Sequence, residues 1–194
     1  MKCLVRKLRD LRWFKFLTVP TVPTVPTVPI HPILAARILE WQAGADGSLG
    51  TADTVLARKY KTLREQFDGH PVTLSSVKVL MAGVQAISRK HYVSESVENW
   101  ASLADVLTAN QDDCDGLDLL AFWALRDAGE PARRAVYRNT STGMGHMVTL
   151  WDHSGRTYIL DPTGAMSTRV NKVSWLRTWE LIAEFAEEKG KDDD

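Results

Sequence analysis

A helix-like segment followed by three strand-like segments constrains the fold of this chain more than any other feature of its sequence. Apolar residues recur at helical spacing from Leu117 to Leu125, and the pattern ends at Gly129 and Pro131, residues that commonly follow a helix. Three short runs rich in β-branched and aromatic residues come next, at residues 132–138, 146–151 and 156–160. This order predicts an α+β protein in which one helix packs on a small antiparallel sheet.

Further helical patterns lie on both sides of this segment. Three apolar stripes precede it, one at Leu34, Ile38 and Trp41, one from Leu56 to Phe67, and one from Val77 to Ile87. Near the C-terminus, Ser174 can cap a last helix with an apolar face formed by Trp175, Trp179, Ile182 and Phe185. We therefore expect N-terminal helices, then the helix with its sheet, then a C-terminal helix.

These patterns predict four parts of the 194-residue chain. They are a basic tail and rod (1–32), a helical segment (33–95), a core around Cys114 (96–170), and a C-terminal helix with an acidic tail (171–194). The rod is the sequence Thr-Val-Pro, repeated four times over residues 18–29, whose period of three matches a polyproline II helix. It can be a spacer or a proline-motif ligand that docks a partner protein through residues 1–32.

Composition excludes several classes of protein. The formal net charge is zero, so overall charge gives no reason to expect nucleic acid as a partner. No apolar run approaches the roughly 20 residues of a transmembrane helix. The N-terminal apolar stretch from Trp13 to Leu17 is interrupted by Lys15 and followed by prolines, unlike a secretory signal. We expect a cytoplasmic protein.

The two cysteines, Cys3 and Cys114, cannot form a disulfide framework or a zinc site of the Cys-x-x-Cys type. Cys114 lies at the predicted start of a helix, where unpaired N–H groups and the helix dipole favour a thiolate. It can therefore be a nucleophile, although a single cysteine can equally be a buried apolar residue.

A hairpin joins the last two predicted strands. If its turn is Asp152 to Gly155, pairing about the turn places His146 opposite Asp161, because Leu150 then faces Thr157. Opposed residues point to the same side of a sheet, so the carboxylate would orient the imidazole. A bulge at Gly155 would instead separate the two side chains to opposite faces. Cysteine, histidine and aspartate in this arrangement are typical of acyl transfer.

The sequence around these residues resembles the transglutaminase-like superfamily. The resemblance rests on DDCDGLDLLAFWALRDAGEPARRAVY, GHMVTLW and YILDPTG, and it covers about residues 97 to 168. The preceding NWASLADVLTANQDDC is similar to the approach to the cysteine in bacterial transglutaminase-like cysteine proteinases. The resemblance implies a papain-like layout, with Cys114 as nucleophile, His146 as general base and acid, and Asp161 as the residue that orients His146.

Two positions depart from the proteinase pattern, since Asp112 replaces a usual glycine and Gly116 replaces a usual acid. Carboxylates near a thiolate raise its pKa, so Asp112, Asp113 and Asp115 must be reconciled with a reactive Cys114. Three alternatives are open: an acid caps the helix, the acids point into solvent, or a cation neutralises them. Some proteinase relatives depend on calcium, which implies a calcium site at Asp113 and Asp115. An EF-hand is excluded, because Gln111 and Phe122 occupy its first and twelfth positions.

An acyl-transfer enzyme also needs an oxyanion hole. Candidate donors are the main-chain N–H of Cys114 and the side chains of Gln111 and Trp100, although Trp100 can instead simply pack between helices. We predict a cysteine peptidase or amidase that acts on a protein or peptide and requires no cofactor, with calcium left open. Hydrolysis and transamidation are not distinguished by the sequence. The alternative is a structural or docking component, for instance of a phage particle, since similar stand-alone domains occur in bacteriophages.

Overall fold

A computed structural model describes residues 50–94 and 101–185. The described helices are α1 (Val55–Glu65), α2 (Leu74–His91), α3 (Leu103–Ala109) and α4 (Cys114–Asp127). The strands are β1 (Ala132–Asn139), β2 (Gly145–His153), β3 (Arg156–Leu160), β4 (Asn171–Lys172) and β5 (Trp179–Phe185). A short 3-10 turn at Val173–Trp175 separates β4 from β5. The predicted α+β class is confirmed.

The strands form one antiparallel sheet in the order β4-β3-β2-β1-β5. Helix α4 packs on the face of the sheet that carries Trp151, Tyr158 and Leu160, and α1, α2 and α3 cover the other side of α4. Every residue of α4 from Cys114 to Leu125 is buried. A largely apolar helix that is buried on all sides needs such a position between two layers.

Local signals account for both ends of α4. Asp113 is the N-cap, and its carboxylate accepts a hydrogen bond of 3.2 Å from the main-chain N–H of Asp115. At the other end, Gly129 takes a left-handed φ of 79°, a conformation that glycine adopts at little cost. The sequence therefore fixes Cys114 as the first residue of the helix.

Helix α3 was not predicted from its apolar pattern, although it carries a clear local signal. Ser102 and Asp105 form a capping box, in which the Ser102 hydroxyl accepts from the Asp105 N–H and the Asp105 carboxylate accepts from the Ser102 N–H. Asn110 ends the helix with a left-handed φ of 61°. The resulting turn leads directly into the loop before Cys114.

The predicted hairpin register is wrong by two residues. Leu150 pairs with Ile159, not with Thr157, because the turn contains only Ser154 and Gly155, both with positive φ. Such a two-residue turn matches the right-handed twist of the strands. A shift of two residues preserves the side of the sheet to which each side chain points, whereas a shift of one would not.

The predicted C-terminal helix is also wrong, since residues 179–185 form the edge strand β5, which pairs with β1. The spacing of Trp179, Ile182 and Phe185 suits a helix, but the free backbone groups of β1 offer this segment ladder hydrogen bonds. The stripe at Leu34, Ile38 and Trp41, the repeat, Trp100 and the acidic tail lie outside the described residues. Among the described helices, none combines the length and apolar character needed to span a bilayer.

Candidate active site

Cys114 is buried at the start of α4, with 2% of its surface exposed. It belongs to an apolar cluster with Met147 of β2 and with Ala183 and Phe185 of β5. Met147 directly follows His146 in β2, so Cys114 packs against the start of the strand that carries the imidazole. Strand β5, which the sequence predicted to be a helix, therefore helps to form the surroundings of the thiol.

His146 and Asp161 form the hydrogen-bonded pair that the sequence predicted. The Nε2 atom of His146 lies 2.8 Å from Oδ1 of Asp161, and both side chains are fully buried. Asp161 comes just after the end of β3, one diagonal step from His146 rather than directly opposite it. The hydrogen bond forms although the observed register differs by two residues from the predicted one, because both residues still point to the same side of the sheet.

The carboxylate of Asp161 accepts main-chain hydrogen bonds at both oxygens. Oδ1 accepts from Thr163 (3.0 Å) and Gly164 (2.9 Å), and Oδ2 accepts from Met166 (2.6 Å) and Ser167 (2.9 Å). Burial opposes ionisation, but His146 and the main-chain donors outweigh it and lower the pKa of Asp161. Asp161 is therefore ionised at neutral pH and can stabilise a positive charge on His146.

Gln85 of α2 holds the loop that carries Asp161. Its amide nitrogen donates to the main-chain oxygens of Asp161 (2.8 Å) and Ser167 (3.1 Å). Sequence reasoning missed this residue, because Gln85 lies 76 positions before Asp161 and no local pattern connects them. The buried polar side chain within the apolar stripe of α2 was the available signal.

Two more side chains, those of Trp179 and Thr163, lie near the imidazole of His146. The ring centroid of Trp179 lies 6.0 Å from that of His146, and Oγ1 of Thr163 lies 3.4 Å from Nε2 of His146. Trp179 reaches this position because it starts β5, which explains why a helical interpretation of the segment could not place it. The Asp-Pro-Thr sequence after β3 was the signal for Thr163.

The three acids around Cys114 form a chain of local hydrogen bonds. Asp112 accepts from the Asp113 N–H at 2.7 Å, and Asp113 in turn caps the helix through the Asp115 N–H. Capping, one of the three alternatives, is therefore observed for Asp113. Burial, a hydrogen bond to Asp113 and the charges of Asp113 and Asp112 all raise the pKa of Asp115, while Arg134 opposes that rise.

The carboxylate of Asp112 packs so closely against Gly116 that only glycine fits at position 116 without displacing it. A Cβ atom at Gly116 would lie 2.2 Å from Cγ of Asp112, so the carboxylate occupies the space that a side chain at position 116 would need. The two positions at which the sequence departs from the pattern therefore lie against each other.

The donor atoms of Asp113, Cys114 and Asp115 lie within 4.8 Å of one another. Carboxylate oxygens suit calcium, whereas sulfur does not, so Asp113 and Asp115 are the residues of this group that fit the ion. The raised pKa of Asp115, caused first by its burial, indicates a cost of ionisation that a cation would relieve. Of the two side chains predicted as oxyanion donors, that of Gln111 is exposed in the loop before α4, and Trp100 lies outside the described residues.

The chain shares its fold, an antiparallel sheet with the cysteine helix packed on it, with solved structures of other proteins. The solved structure of Legionella pneumophila LapG aligns with a TM-score of 0.56 and 14% identity over 78% of this chain and 84% of that chain. Its calcium-bound form aligns with a TM-score of 0.54 and 14% identity over 78% and 83%. Its EGTA-treated form aligns with a TM-score of 0.55 and 14% identity over 77% and 81%. No protein-family model matches the chain, and no curated protein matches its sequence.

Proposed function

We propose that this protein is a thiol acyl-transfer enzyme that hydrolyses a peptide or amide bond through Cys114, His146 and Asp161. The buried hydrogen bond between His146 and a doubly anchored, ionised Asp161 is the observation that carries this proposal. A histidine oriented in this way needs a nucleophile, and Cys114 packs against the start of β2 from a helix N-terminus.

The proposal gives a role to each imidazole nitrogen. Since Nε2 is bound to Asp161, Nδ1 is the atom that takes the proton from the Cys114 thiol. The thiolate attacks the substrate carbonyl, and the imidazolium then donates its proton to the leaving amine as the C–N bond breaks. Water, deprotonated by the same nitrogen, hydrolyses the thioester and releases the acid. Throughout the cycle Asp161 stays ionised and stabilises the imidazolium.

The developing negative charge on the carbonyl oxygen needs donors. The main-chain N–H of Cys114 lies in the first turn of α4, at the positive end of the helix dipole. We assign it as one donor, and the exposed side chain of Gln111 in the preceding loop as the second. This arrangement places the positive end of the helix dipole at the oxyanion.

We further propose that Asp113 and Asp115 hold a calcium ion. Such an ion would neutralise the carboxylates that otherwise oppose thiolate formation at Cys114. The likeness to LapG in calcium-bound and EGTA-treated forms supports this assignment. The capping bond from Asp113 to the helix is compatible with it, because a carboxylate has a second oxygen.

A thiol-directed probe tests the proposed function. In a Cys3→Ser background, Cys114 should react with a limiting amount of iodoacetamide at neutral pH on the order of a hundredfold faster than in the same protein with His146→Ala. Rates are measured by mass spectrometry of the peptide that contains Cys114. His70→Ala is the matched control, since His70 is exposed and remote in sequence from the site, and it should leave the rate unchanged.

Equal rates for the Cys3→Ser protein and its His146→Ala variant would overturn the proposal. The substrate class is tested separately, by incubating the wild-type and Cys114→Ala proteins with protein mixtures and cell-wall peptides. Hydrolysis predicts new N-termini with the wild type alone, and cross-linked products would instead indicate transamidation.

A further inference from the structure

A buried ion pair connects α4 to the sheet. Nε of Arg134 in β1 donates to Oδ2 of Asp118 in α4 at 2.8 Å, and both side chains are almost completely buried. The other oxygen of Asp118, Oδ1, accepts from the hydroxyl of Thr149 in β2 at 2.6 Å. Arg134 also donates, through Nη2, to the main-chain oxygen of Asp115.

Such an ion pair is a poor means of stabilising a core. Removing two charges from water costs several kcal/mol for each ion, and well-packed apolar side chains of similar volume often give equal or greater stability. Burial raises the pKa of Asp118, while Arg134 and Thr149 oppose that rise. Stability alone therefore gives no reason for charges at this place.

The geometry gives a different reason. Arg134 and Thr149 face each other across β1 and β2, so two paired strand residues hold the two oxygens of one helix carboxylate. Asp118 lies one helical turn after Cys114, and Asp115 lies in the same first turn as the thiol. These directional bonds fix both the rotation of α4 about its axis and its position along the sheet, which apolar packing does less strictly.

The network also connects the two halves of the site. Thr149 is in the same strand as His146, three residues further along, whereas Asp118 is in the same helix as Cys114. A displacement of α4 relative to β2 would change the distance between the thiol and the imidazole. Proton transfer between these groups requires direct hydrogen-bond contact between sulfur and nitrogen in the productive complex, so a small displacement has a large effect.

We propose that Arg134, Asp118 and Thr149 are positioning residues that set the Cys114 thiol relative to the His146 imidazole. The inference rests on the proposed function, since it assumes that the two groups act together. It predicts that replacing the ion pair by apolar residues uncouples Cys114 from His146 even when the fold is retained.

A double-mutant cycle tests this coupling in the full chain with Cys3→Ser. The rate of alkylation of Cys114 is measured with and without His146→Ala, first with the native ion pair and then with Arg134→Met and Asp118→Leu together. With the native pair, we expect His146 to accelerate the reaction on the order of a hundredfold. With the apolar pair, we expect this acceleration to fall below about threefold, while thermal unfolding shows a folded protein.

Arg58→Met with Asp53→Leu is the matched control. This pair makes a 2.8 Å ion pair in which both side chains are exposed, so the same substitutions should leave the effect of His146 intact. Thr149→Val is the second variant if the apolar pair does not fold, because it removes only the bond to Asp118 at nearly constant volume. It should reduce the effect of His146 at least threefold.

The outcomes separate the two proposals. If His146 accelerates Cys114 in the parent protein and the acceleration persists in a folded network variant, the positioning role is overturned and the proposed function stands. If the parent protein shows no acceleration by His146, the proposed function fails, and the positioning role fails with it.

Discussion

Asp161 shows how one carboxylate can remain charged inside the protein. Its four main-chain donors and His146 together outweigh the cost of burial, so its pKa lies below the ordinary value of 3.8. The stabilisation from the ionised group is complete above about pH 3.8 and is lost as the pH falls through the lower pKa of the folded protein. Asp161 therefore contributes to acid unfolding as well as to the orientation of His146.

We predict that Asp161→Asn lowers the unfolding free energy at pH 7 by about 1–3 kcal/mol, because the amide nitrogen cannot accept from the main-chain donors. The variant should also lose less stability than the wild type as the pH falls below about 3.8, since it lacks the titrating group. Urea unfolding at a series of pH values measures both effects. Parallel stability curves for the two proteins would contradict the assignment.

Some residues of the site could be predicted from the sequence, and others could not. Cys114 could be identified because the capping Asp113 and the apolar helix are neighbours in the chain. His146 and Asp161 could be paired because the side of a strand depends only on whether the register is odd or even. Gln85 and Trp179 could not be predicted, because their positions depend on tertiary contacts between distant segments.

At the level of elements, the start of α4 combines a helix cap with a close packing contact. Gly116 lies under the carboxylate of Asp112, which itself accepts from the N–H of the N-cap residue Asp113. A methyl group at position 116 must displace this carboxylate. The geometry of the first helical turn therefore depends on two residues that are four positions apart.

We predict that Gly116→Ala destabilises the protein by about 1–3 kcal/mol, although alanine normally favours a helix. Asp112→Ala should remove the steric conflict, so the double variant should be more stable than the sum of the single effects by about 0.5–3 kcal/mol. Thermal and urea unfolding of the four proteins measures this coupling. Simple additivity would show that the two residues do not meet.

Gly83→Ala is the control for this prediction. A Cβ atom at Gly83 would lie 2.4 Å from Cδ2 of Leu63, which is the end of a flexible side chain and can move aside. Alanine there should therefore be neutral, or stabilising by up to about 1 kcal/mol. The two glycines in helices thus separate a steric effect from helix propensity.

The elements also show why prediction succeeded in some segments and failed in others. The apolar periodicity of helix α4 and of strands β1 to β3 is evident from each segment alone, so local patterns predicted these elements correctly. The apolar residues of β5 fit a helix as well as a strand, and only pairing with β1 decides between the two. The hairpin register was predicted wrongly because the turn contains only Ser154 and Gly155. A serine rarely adopts a positive φ, so the sequence did not indicate this short turn.

At the scale of the whole molecule, α4 lies between the sheet and the N-terminal helices, and Gln85 extends this connection to the Asp161 loop. The site therefore depends on both halves of the described chain. Three carboxylates of the site, those of Asp112, Asp113 and Asp115, lie near one another beside Cys114. The overall stability should respond to any cation that binds there.

Burial, a hydrogen bond to Asp113 and neighbouring charges raise the pKa of Asp115 above its ordinary value of 3.8. The contribution of this group to stability is complete below about pH 3.8 and is lost as the pH rises through the higher pKa of the folded protein. With a chelator at pH 7, Asp115→Asn should therefore be more stable than the wild type, by on the order of 1 kcal/mol. The difference should disappear near pH 3.

Calcium should reverse this order. Because only the folded wild type brings both carboxylates together, millimolar calcium should raise its Tm, while Asp115→Asn should show little change. Scanning calorimetry with chelator, calcium and magnesium measures the effect, and Asp68→Asn, at an exposed position, is the matched control. If calcium leaves the wild-type Tm unchanged, the acids near Cys114 hold no calcium ion, and Asp115 must keep its proton for the thiolate to form.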